Sequence, residues 1–303
     1  MSKKRALTPY PFAYFEGEVV PIEDAKLSIM TNALHYGIGI FGGIKSFETE
    51  RGPAIFRLDD HIKRLENSVR SLGFSFDFDQ ELTKNIILEL ARKNKIKGTT
   101  YIRPIIYRSD TNLSPYIIGK YDLAVYMLDM PYYFDPTGGL RVTVSSWQRN
   151  SDKSIPPRTK ATGGYINSAL AIHEANEKGF DSAVMLDKDD NISEGAVMNL
   201  FLVKDGELIT PSLDSDILEG ITRRTVIEMA KELNLPVAER KVKKAELMAA
   251  DEVFFSGTAV DITWCAAIDS REIGSRPGPI TEKLHNSFLQ LSSTKPKLFT
   301  PIG

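Results

Sequence analysis

The chain has 303 residues, 42% apolar and 26% charged, which is typical of one large or two ordinary globular domains and excludes a disordered or fibrous protein. Lysine plus arginine (38) nearly balance aspartate plus glutamate (40), and the net charge of −2 argues against nucleic acid as a partner. The one cysteine, Cys265, cannot form an internal disulfide, and no apolar leader or membrane-spanning run is present, so we expect a cytoplasmic protein without a membrane partner or a metal site.

The first part of the chain changes from strand-like alternation to helical spacing and back. Its predicted elements, in chain order, are a hairpin of 44–49 and 54–58, helices over 59–73 and 80–94, and strands over 99–107 and 121–130. Alternating polarity with β-branched and aromatic side chains indicates the strands, and apolar residues three or four positions apart indicate the helices. We assign these elements to a smaller α/β domain over residues 1–132.

Residues 133–139 are the predicted linker, because Pro136, Gly138 and Gly139 fall within a few positions. The elements predicted after it, in chain order, are a strand over 140–147, a helix over 166–179, strands over 181–187, 199–206 and 207–211, a helix over 220–234, a strand over 236–242, a helix over 243–250 and a strand over 251–263. Because these strands and helices do not alternate as regular βαβ units, we assign residues 140–303 to a larger α+β domain.

Two motifs resemble known ligand sites but lie in the wrong context. The glycines of GIGIFGG (37–43) match a dinucleotide-binding pattern, yet a hairpin follows them where that site requires a helix whose N–H groups face the phosphate. Residues 187–198 begin like a calcium-binding loop, but Ile192 stands where the loop needs glycine and Met198 where it needs glutamate. Neither a nicotinamide cofactor nor calcium is therefore expected.

Several short segments carry a family resemblance when they are taken in order. They are HIKRL (61–65), RTKATGGYINSALA (158–171), ISEGAVMNLF (192–201), GITR (220–223) and SGTA (256–259), with LHYG, YIRP and DEVFFSGTA adding to the match. Together they resemble the class IV pyridoxal-phosphate enzymes, most closely the branched-chain amino acid aminotransferases. The resemblance implies fold type IV, in which a smaller N-terminal α/β domain and a larger C-terminal α+β domain with a pseudo-barrel sheet enclose the cofactor in a cleft between them.

The resemblance implies pyridoxal 5′-phosphate as the cofactor. The residues that would bind it are Arg64, Lys160, Tyr165, Glu194, Ile221, Thr222 and Thr258. Lys160 would form a Schiff base with the aldehyde, Tyr165 would hydrogen-bond the phenolic oxygen, and Glu194 would keep the ring nitrogen protonated. The others would bind the phosphate dianion through a guanidinium, a hydroxyl and helix-start amides. Each residue also has an ordinary structural interpretation, such as a solvated lysine, a buried tyrosine or a turn glutamate.

Substrate-binding residues are implied in the same way. They are Tyr36, Phe41, Tyr101, Arg103, Tyr132, Thr258 and Ala259. The backbone amides of the turn at 258–259 would receive the α-carboxylate, and Arg103 with the tyrosines would take the distal carboxylate of glutamate. Phe41 and Tyr132 would face an aliphatic side chain. Because a buried arginine needs compensation when leucine is bound, we expect Arg103 to have a partner within the protein. A strand-end ion pair for Arg103 and core positions for the aromatic residues are the structural alternatives.

The chain departs from the family pattern near the predicted substrate pocket. Family members usually have Glu at the position of Gly42, Asn at the position of Gly164, and a glycine within the segment where this chain has AVMNLF (196–201). The segment 109–121 also lacks the expected glycine-rich character. The sequence therefore indicates the cofactor more firmly than the substrate, and it leaves open how Gly42, Gly164 and Met198 shape the pocket.

The function implied is reversible transamination between leucine, isoleucine or valine and 2-oxoglutarate. The alternatives of the same fold are D-amino acid aminotransferase, R-selective amine transaminase and aminodeoxychorismate lyase, and the non-enzymatic alternative is a ligand-binding relative without catalysis. The apolar segment 113–127 could cover a neighbouring subunit, so we expect a homodimer or a higher homo-oligomer.

Overall fold

The computed structural model describes residues 7–130, 133–134 and 138–303. Contacts divide the chain into two compact units. The first unit comprises the described residues of Arg5–Pro131 together with Thr159–Gly164 and Leu291–Gly303. The second comprises the described residues of Tyr132–Arg158 and Tyr165–Gln290.

The elements of the chain up to residue 130 belong to the first unit. The strands are β1 (Thr8–Pro9), β2 (Phe12–Phe15), β3 (Glu18–Pro21), β4 (Gly39–Phe41), β5 (Ile44–Thr49), β6 (Gly52–Phe56), β7 (Thr100–Arg108) and β8 (Tyr121–Asp129). The helices are α1 (Asn32–Tyr36), α2 (Leu58–Leu72) and α3 (Gln80–Lys93), with a 3-10 turn at Ile22–Asp24.

The elements of the second unit follow from residue 140. The strands are β9 (Leu140–Val144), β10 (Ser182–Leu186), β11 (Asn191–Gly195), β12 (Asn199–Lys204), β13 (Glu207–Thr210), β14 (Val237–Glu239), β15 (Val242–Lys243), β16 (Glu252–Gly257), β17 (Asp261–Ile268) and β18 (Arg271–Glu272). The helices are α4 (Tyr165–Glu177), α5 (Ile221–Glu232), α6 (Lys244–Leu247) and α7 (Pro279–Leu289). The chain then adds α8 (Leu291–Thr294), a 3-10 turn at Pro296–Leu298 and β19 (Phe299–Pro301) to the first unit.

The first unit is built on a sheet with the strand order β19-β6-β5-β7-β8-β2-β3, in which β4 pairs with β7 and β1 with β8. All of its pairs are antiparallel, and the longest, β7 with β8, runs in register from Thr100 opposite Asp129 to Arg108 opposite Tyr121. Helices α2 and α3 bury apolar residues at helical spacing against this sheet, among them Ile62, Leu65 and Val69. Helix α2 ends at Gly73 in a left-handed conformation, as its sequence predicts.

The second unit is built on a sheet with the order β14-β13-β12-β16-β17-β9-β10-β11-β15, with β18 on β17. Strand β9 runs parallel to both β10 and β17, whereas β12, β16 and β17 pair antiparallel. Helix α4 packs on β10, α5 on β16 and α7 on β17. This mixture confirms the predicted α+β character of the second part of the chain.

The two units are not divided at one place in the chain, whereas the sequence predicts a single linker at residues 133–139 between two continuous domains. Residues 159–164 return to the first unit because they bridge to β4, and the C-terminal residues return because β19 pairs antiparallel with β6. Both returns depend on partners more than a hundred positions away, so no local pattern reports them. In the described ranges 7–130, 133–134 and 138–303, no helix is both long and apolar enough to cross a bilayer.

Candidate functional site

The backbone of Lys160 is held against strand β4 in the first unit. The amide of Phe41 donates to the carbonyl of Lys160 at 3.3 Å, and Ile40 and Ala161 form an antiparallel bridge. Lys160 adopts a left-handed conformation with a φ of 52°. Residues other than glycine seldom adopt this conformation, and the exposed Lys95 shares it with a φ of 49°. The half-buried side chain of Lys160 lies beside Phe41, with Nζ 4.9 Å from the ring centroid.

Glycines allow residues 159–164 to approach the turn before β4. Gly37 ends α1 with a φ of 63°, and a Cβ built on it would lie 2.6 Å from the Cα of Gly163. The carbonyl of Gly37 accepts hydrogen bonds from the amide of Gly163 at 3.1 Å and from the hydroxyl of Thr162 at 2.7 Å. The same hydroxyl donates to the carbonyl of Gly39 at 3.1 Å. The glycine motif therefore supports the lysine segment, and it is followed by β5 and not by the helix that a dinucleotide site requires.

Phe41, Tyr101, Arg103 and Lys160 gather in the first unit and form the Lys160 cluster. The guanidinium carbon of Arg103 lies 4.4 Å from the Phe41 ring centroid and 5.0 Å from that of Tyr101. Its Nη2 also donates to the Tyr101 hydroxyl at 2.8 Å. Aromatic faces attract cations, so the Phe41 ring stabilises both the ammonium and the guanidinium. The partner expected for Arg103 thus includes a hydroxyl and two aromatic faces.

The other predicted residues of the first unit lie on elements near β4. Arg64 is half-buried on α2, and α2 packs against β4. Tyr36 is the last residue of α1 and is 38% exposed, directly before Gly37. Tyr132, predicted to face an aliphatic substrate, lies outside the described residues.

An apolar cavity of about 390 Å³ lies on the sheet of the first unit beside the lysine segment. Its walls include Leu34, Ile105, Tyr107 and Thr162. Burial, together with the charge of Asp122, raises the pKa of Tyr107, so this phenol stays neutral. The cavity therefore offers an uncharged surface suited to apolar side chains.

Glu194, Arg149 and Asn199 form the Glu194 cluster in the second unit. Glu194 is 3% exposed in the fully buried strand β11, so the ISEG segment is a strand and not a turn. Its Oε1 lies 2.8 Å from Nη2 of Arg149 and accepts the amide of Leu218 at 3.3 Å. Its Oε2 accepts Nδ2 of Asn199 at 2.9 Å. Burying a carboxylate is costly unless donors compensate it, and these groups supply the compensation.

Asn199 also connects Glu194 to the start of helix α5. Its Oδ1 lies so close to Gly220 that a Cβ on this glycine would collide with it. Gly220 is the extended N-cap residue of α5 and brings no capping side chain, and Ile221 and Thr222 follow it as buried residues of the first turn. The first amides of a helix favour an anion, so this turn suits a phosphate group.

The remaining predicted residues of the second unit lie at a helix start and in a turn. Tyr165 is the half-buried first residue of α4. Thr258 and Ala259 occupy the centre of a turn in which the amide of Val260 donates to the carbonyl of Gly257 at 3.2 Å. The single strand predicted over 251–263 is therefore wrong, because this turn divides it into β16 and β17.

Packing accounts for two of the departures from the family pattern. A Cβ at Gly42 would lie 2.7 Å from Cγ of Pro104, so a larger residue there requires Pro104 to move. Met198 is 3% exposed and belongs to the core of the second unit's sheet, where it fills space between strands. Nothing in the structure explains Gly164.

The functional groups present match those that the predicted cofactor needs. The first unit holds an amine next to an aromatic face, which suits an aldehyde and a flat ring. The second unit holds a buried, compensated carboxylate, which suits a protonated ring nitrogen, and a helix start without a capping side chain, which suits a phosphate. Over the ranges that the structure describes, no group of three or more His, Cys, Asp or Glu side chains is arranged to hold a metal ion.

Several residues that position the predicted ones were not apparent from the sequence. Thr162 and Gly163 fasten the lysine segment, and Arg149 and Asn199 hold Glu194. Asn199 stands inside a segment that already carried the resemblance, so it could have been singled out. Arg149 lies 45 positions before Glu194 in the segment SSWQRN, and no spacing rule connects the two.

Comparisons with known proteins agree with this arrangement. The profile of the amino-transferase class IV family matches residues 39–268. A probable branched-chain-amino-acid aminotransferase of Aquifex aeolicus is 43% identical over 282 residues, which cover 91% of each chain. The crystal structure of a branched-chain aminotransferase from Thermoproteus uzoniensis with norvaline superposes with a TM-score of 0.91 at 35% identity, covering 96% of this chain and 99% of that one. The corresponding holo-form from Thermobaculum terrenum, with PLP, has a TM-score of 0.88 at 32% identity, covering 97% and 99%.

Proposed function

The chain belongs to the class IV aminotransferase family and has its fold, and on that premise we propose that it transfers amino groups between branched-chain L-amino acids and 2-oxoglutarate with pyridoxal 5′-phosphate. The observation that carries the proposal is the placement of Lys160, whose backbone is tied to β4 and whose half-buried side chain brings Nζ to 4.9 Å from the centroid of the Phe41 ring. An ordinary surface lysine keeps its ammonium in water, away from such a contact. The names of the relatives support the substrate class.

We propose cofactor-binding roles for the seven residues that the sequence predicts. Lys160 would carry the cofactor on its amine, and Tyr165 would hydrogen-bond the phenolic oxygen. Glu194 would hold a proton on the ring nitrogen, because its charge is maintained by buried donors. The phosphate-binding set comprises Arg64, Ile221, Thr222 and Thr258. The first turn of α5 supports this assignment, since Gly220 leaves it without a capping side chain.

When bound, pyridoxal 5′-phosphate supplies an aldehyde that accepts amino groups and a ring that withdraws electrons. The chain's own task is then to bind the substrate and to move one proton. Lys160 would be the base, and its amine would take up the proton from the substrate Cα and carry it within the site. The Phe41 ring, 4.9 Å from Nζ, excludes water on one side of this amine and stabilises its protonated form between transfers.

Substrate recognition is proposed for the rest of the Lys160 cluster and for the turn at 258–259. Arg103 would receive the distal carboxylate of glutamate or 2-oxoglutarate, with the Tyr101 hydroxyl already orienting its guanidinium at 2.8 Å. With leucine bound, the same hydroxyl and the aromatic faces would compensate the guanidinium charge. Phe41 would pack against the aliphatic side chain. The amides of Thr258 and Ala259 would bind the α-carboxylate, and Tyr36 and Tyr132 would complete the pocket.

We further propose a homodimer or higher homo-oligomer in the cytoplasm. The loop between β7 and β8 exposes apolar side chains, with Leu113 81% and Ile118 69% accessible. The buried Arg108 nevertheless fixes this loop, because it pairs with Asp110 at 2.9 Å and donates to the carbonyl of Ser114 at 3.1 Å. Apolar side chains held in place on a surface favour contact with another subunit. Light scattering should give at least a dimeric mass, and a monomeric mass at full activity would contradict the assembly.

The function is tested by absorption spectroscopy and by a panel of amino donors. Wild-type protein loaded with pyridoxal 5′-phosphate should show a visible band that is lost in Lys160→Ala and kept in Lys153→Ala, a matched change at an exposed lysine. L-leucine and L-glutamate should then be turned over, whereas D-alanine and R-phenylethylamine should not. An unchanged spectrum in Lys160→Ala would rule out the assignment of the amine. Turnover with the D or R donors alone would move the function to another member of the family.

A further inference from the structure

Arg149 makes contacts that join Glu194 to helix α4. Its Nη2 pairs with Oε1 of Glu194 at 2.8 Å, and its Nη1 donates to the hydroxyl of Ser168 at 3.0 Å. The side chains of Arg149 and Glu194 are only 8% and 4% exposed. The backbone of Arg149 is fixed as well, since its amide donates to the carbonyl of Leu186 in β10 at 2.8 Å. One planar guanidinium thus holds the carboxylate from a fixed direction while it is itself fastened to a neighbouring helix.

The next residues strengthen the same connection. The backbone amide of Asn150 donates a hydrogen bond to Oδ1 of Asn167 at 3.1 Å. Nδ2 of Asn167 in turn donates to the carbonyl of Gln148 at 2.8 Å. The segment that carries Arg149 is therefore bound on both sides to the first turn of α4, the helix that Tyr165 begins.

We propose that Arg149 is a positioning residue that fixes the protonation of the cofactor's ring nitrogen through Glu194. The proposal rests on the proposed function, because it takes Glu194 as the partner of that nitrogen. One proton is shared between the nitrogen and the carboxylate, and it can lie on either. A cation beside Oε1 stabilises the negative carboxylate, so the proton stays on the nitrogen. Without that cation, the buried carboxylate takes up the proton and the nitrogen becomes neutral.

The direct readout is the ¹⁵N chemical shift of the ring nitrogen in holoprotein prepared with ¹⁵N-labelled cofactor. In the wild type the shift should match that of a protonated pyridine, and in Arg149→Met it should move toward the neutral form. Affinity for pyridoxal 5′-phosphate, measured by titrating the apoprotein, should fall about 10- to 100-fold, because the hydrogen bond between Glu194 and the ring nitrogen would no longer join two charged groups. Arg141→Met, which removes the exposed ion pair with Glu272 in the same unit, should leave both values unchanged.

A double-variant cycle separates positioning from a general effect on folding. In a Glu194→Gln background, Arg149→Met should not move the ¹⁵N shift further, because the charge through which it acts is already gone. This double variant also leaves no unpaired buried charge, so it should fold where Arg149→Met alone does not. Arg149→Lys keeps the charge but loses the planar fork, and it should give a shift between those of the wild type and Arg149→Met.

The outcomes distinguish the inference from the function on which it rests. A wild-type ¹⁵N shift in Arg149→Met or, if that variant does not fold, in Arg149→Lys, together with a shift that does respond to Glu194→Gln, would overturn the role of Arg149 while leaving the proposed function intact. A lower melting temperature with an unchanged shift would likewise reduce Arg149 to a structural residue. If Glu194→Gln has the same ¹⁵N shift as the wild type, Glu194 is not the partner of the ring nitrogen.

Discussion

Replacing Gly37 by alanine should displace Lys160, although the new methyl group would contact Gly163 and not Lys160 itself. Gly37 ends α1 with a φ of 63°, where a residue with a Cβ loses about 1–2 kcal/mol. The new Cβ would also lie 2.6 Å from Cα of Gly163, whereas carbons in contact prefer about 3.5–4.0 Å. The lysine segment would therefore have to retreat by about 1 Å. Misplacing a reacting group by this distance can lower kcat about 100-fold.

Gly73→Ala is the matched control for this prediction. Gly73 ends α2 with a φ of 67°, but a Cβ there would meet no atom within 4 Å. Both variants should lose about 1–2 kcal/mol of unfolding free energy in denaturant titrations. Only Gly37→Ala should also lose cofactor affinity and about 100-fold in kcat. Equal kinetic effects in the two variants, or none in Gly37→Ala, would refute the view that β4 and its preceding glycine position Lys160.

Other predictions concern the second unit and the substrate. Burial alone would raise the pKa of Glu174, but hydrogen bonds from Lys178 and others lower it from 4.5 to about 2. Because the folded pKa is the lower one, the stabilisation from ionised Glu174 is complete above pH 4.5 and is lost as the pH falls toward 2. Solvent screens the exposed Lys178, so Glu174→Gln should lower the free energy of unfolding at pH 7 by about 1–2 kcal/mol and should flatten its pH dependence across that window. An identical pH dependence in the variant would contradict this. Burial raises the pKa of Cys265 to about 12, so a thiol reagent should react only after unfolding, and fast labelling of native protein would oppose it. In Gly43→Ala the new Cβ would collide with the Tyr101 hydroxyl, which orients Arg103. The KM for 2-oxoglutarate should therefore rise about 10-fold, while the KM for leucine should change little. An equal rise of both KM values would argue against the proposed role of Tyr101 and Arg103 in binding the distal carboxylate.

The sequence predicted best those elements whose information is local. The spacing of Ile62, Leu65 and Val69 and the glycine that follows them indicate α2 almost to the residue, because one face of the helix is buried and the other is not. Strand β11 was missed for the opposite reason. All of its residues are buried, so no alternation marks it, and Glu194 within it looks like a turn residue.

The parts of the site that escaped prediction depend on contacts distant in sequence. The sequence motif identified Lys160, but its position depends on Gly37, which is 123 residues earlier. Glu194 was identified from ISEG, yet the arginine that compensates it lies in another segment, and only the fold brings them together. Short motifs thus predicted which groups would react, and tertiary structure was needed to find the residues that hold these groups.

The central claim, that the amine of Lys160 carries the cofactor, is tested most directly by chemical trapping. Holoprotein treated with borohydride, digested and analysed by mass spectrometry should carry a reduced phosphopyridoxyl group on the peptide that contains Lys160. Unmodified Lys160, or a label on another lysine such as the buried Lys45, would contradict the claim.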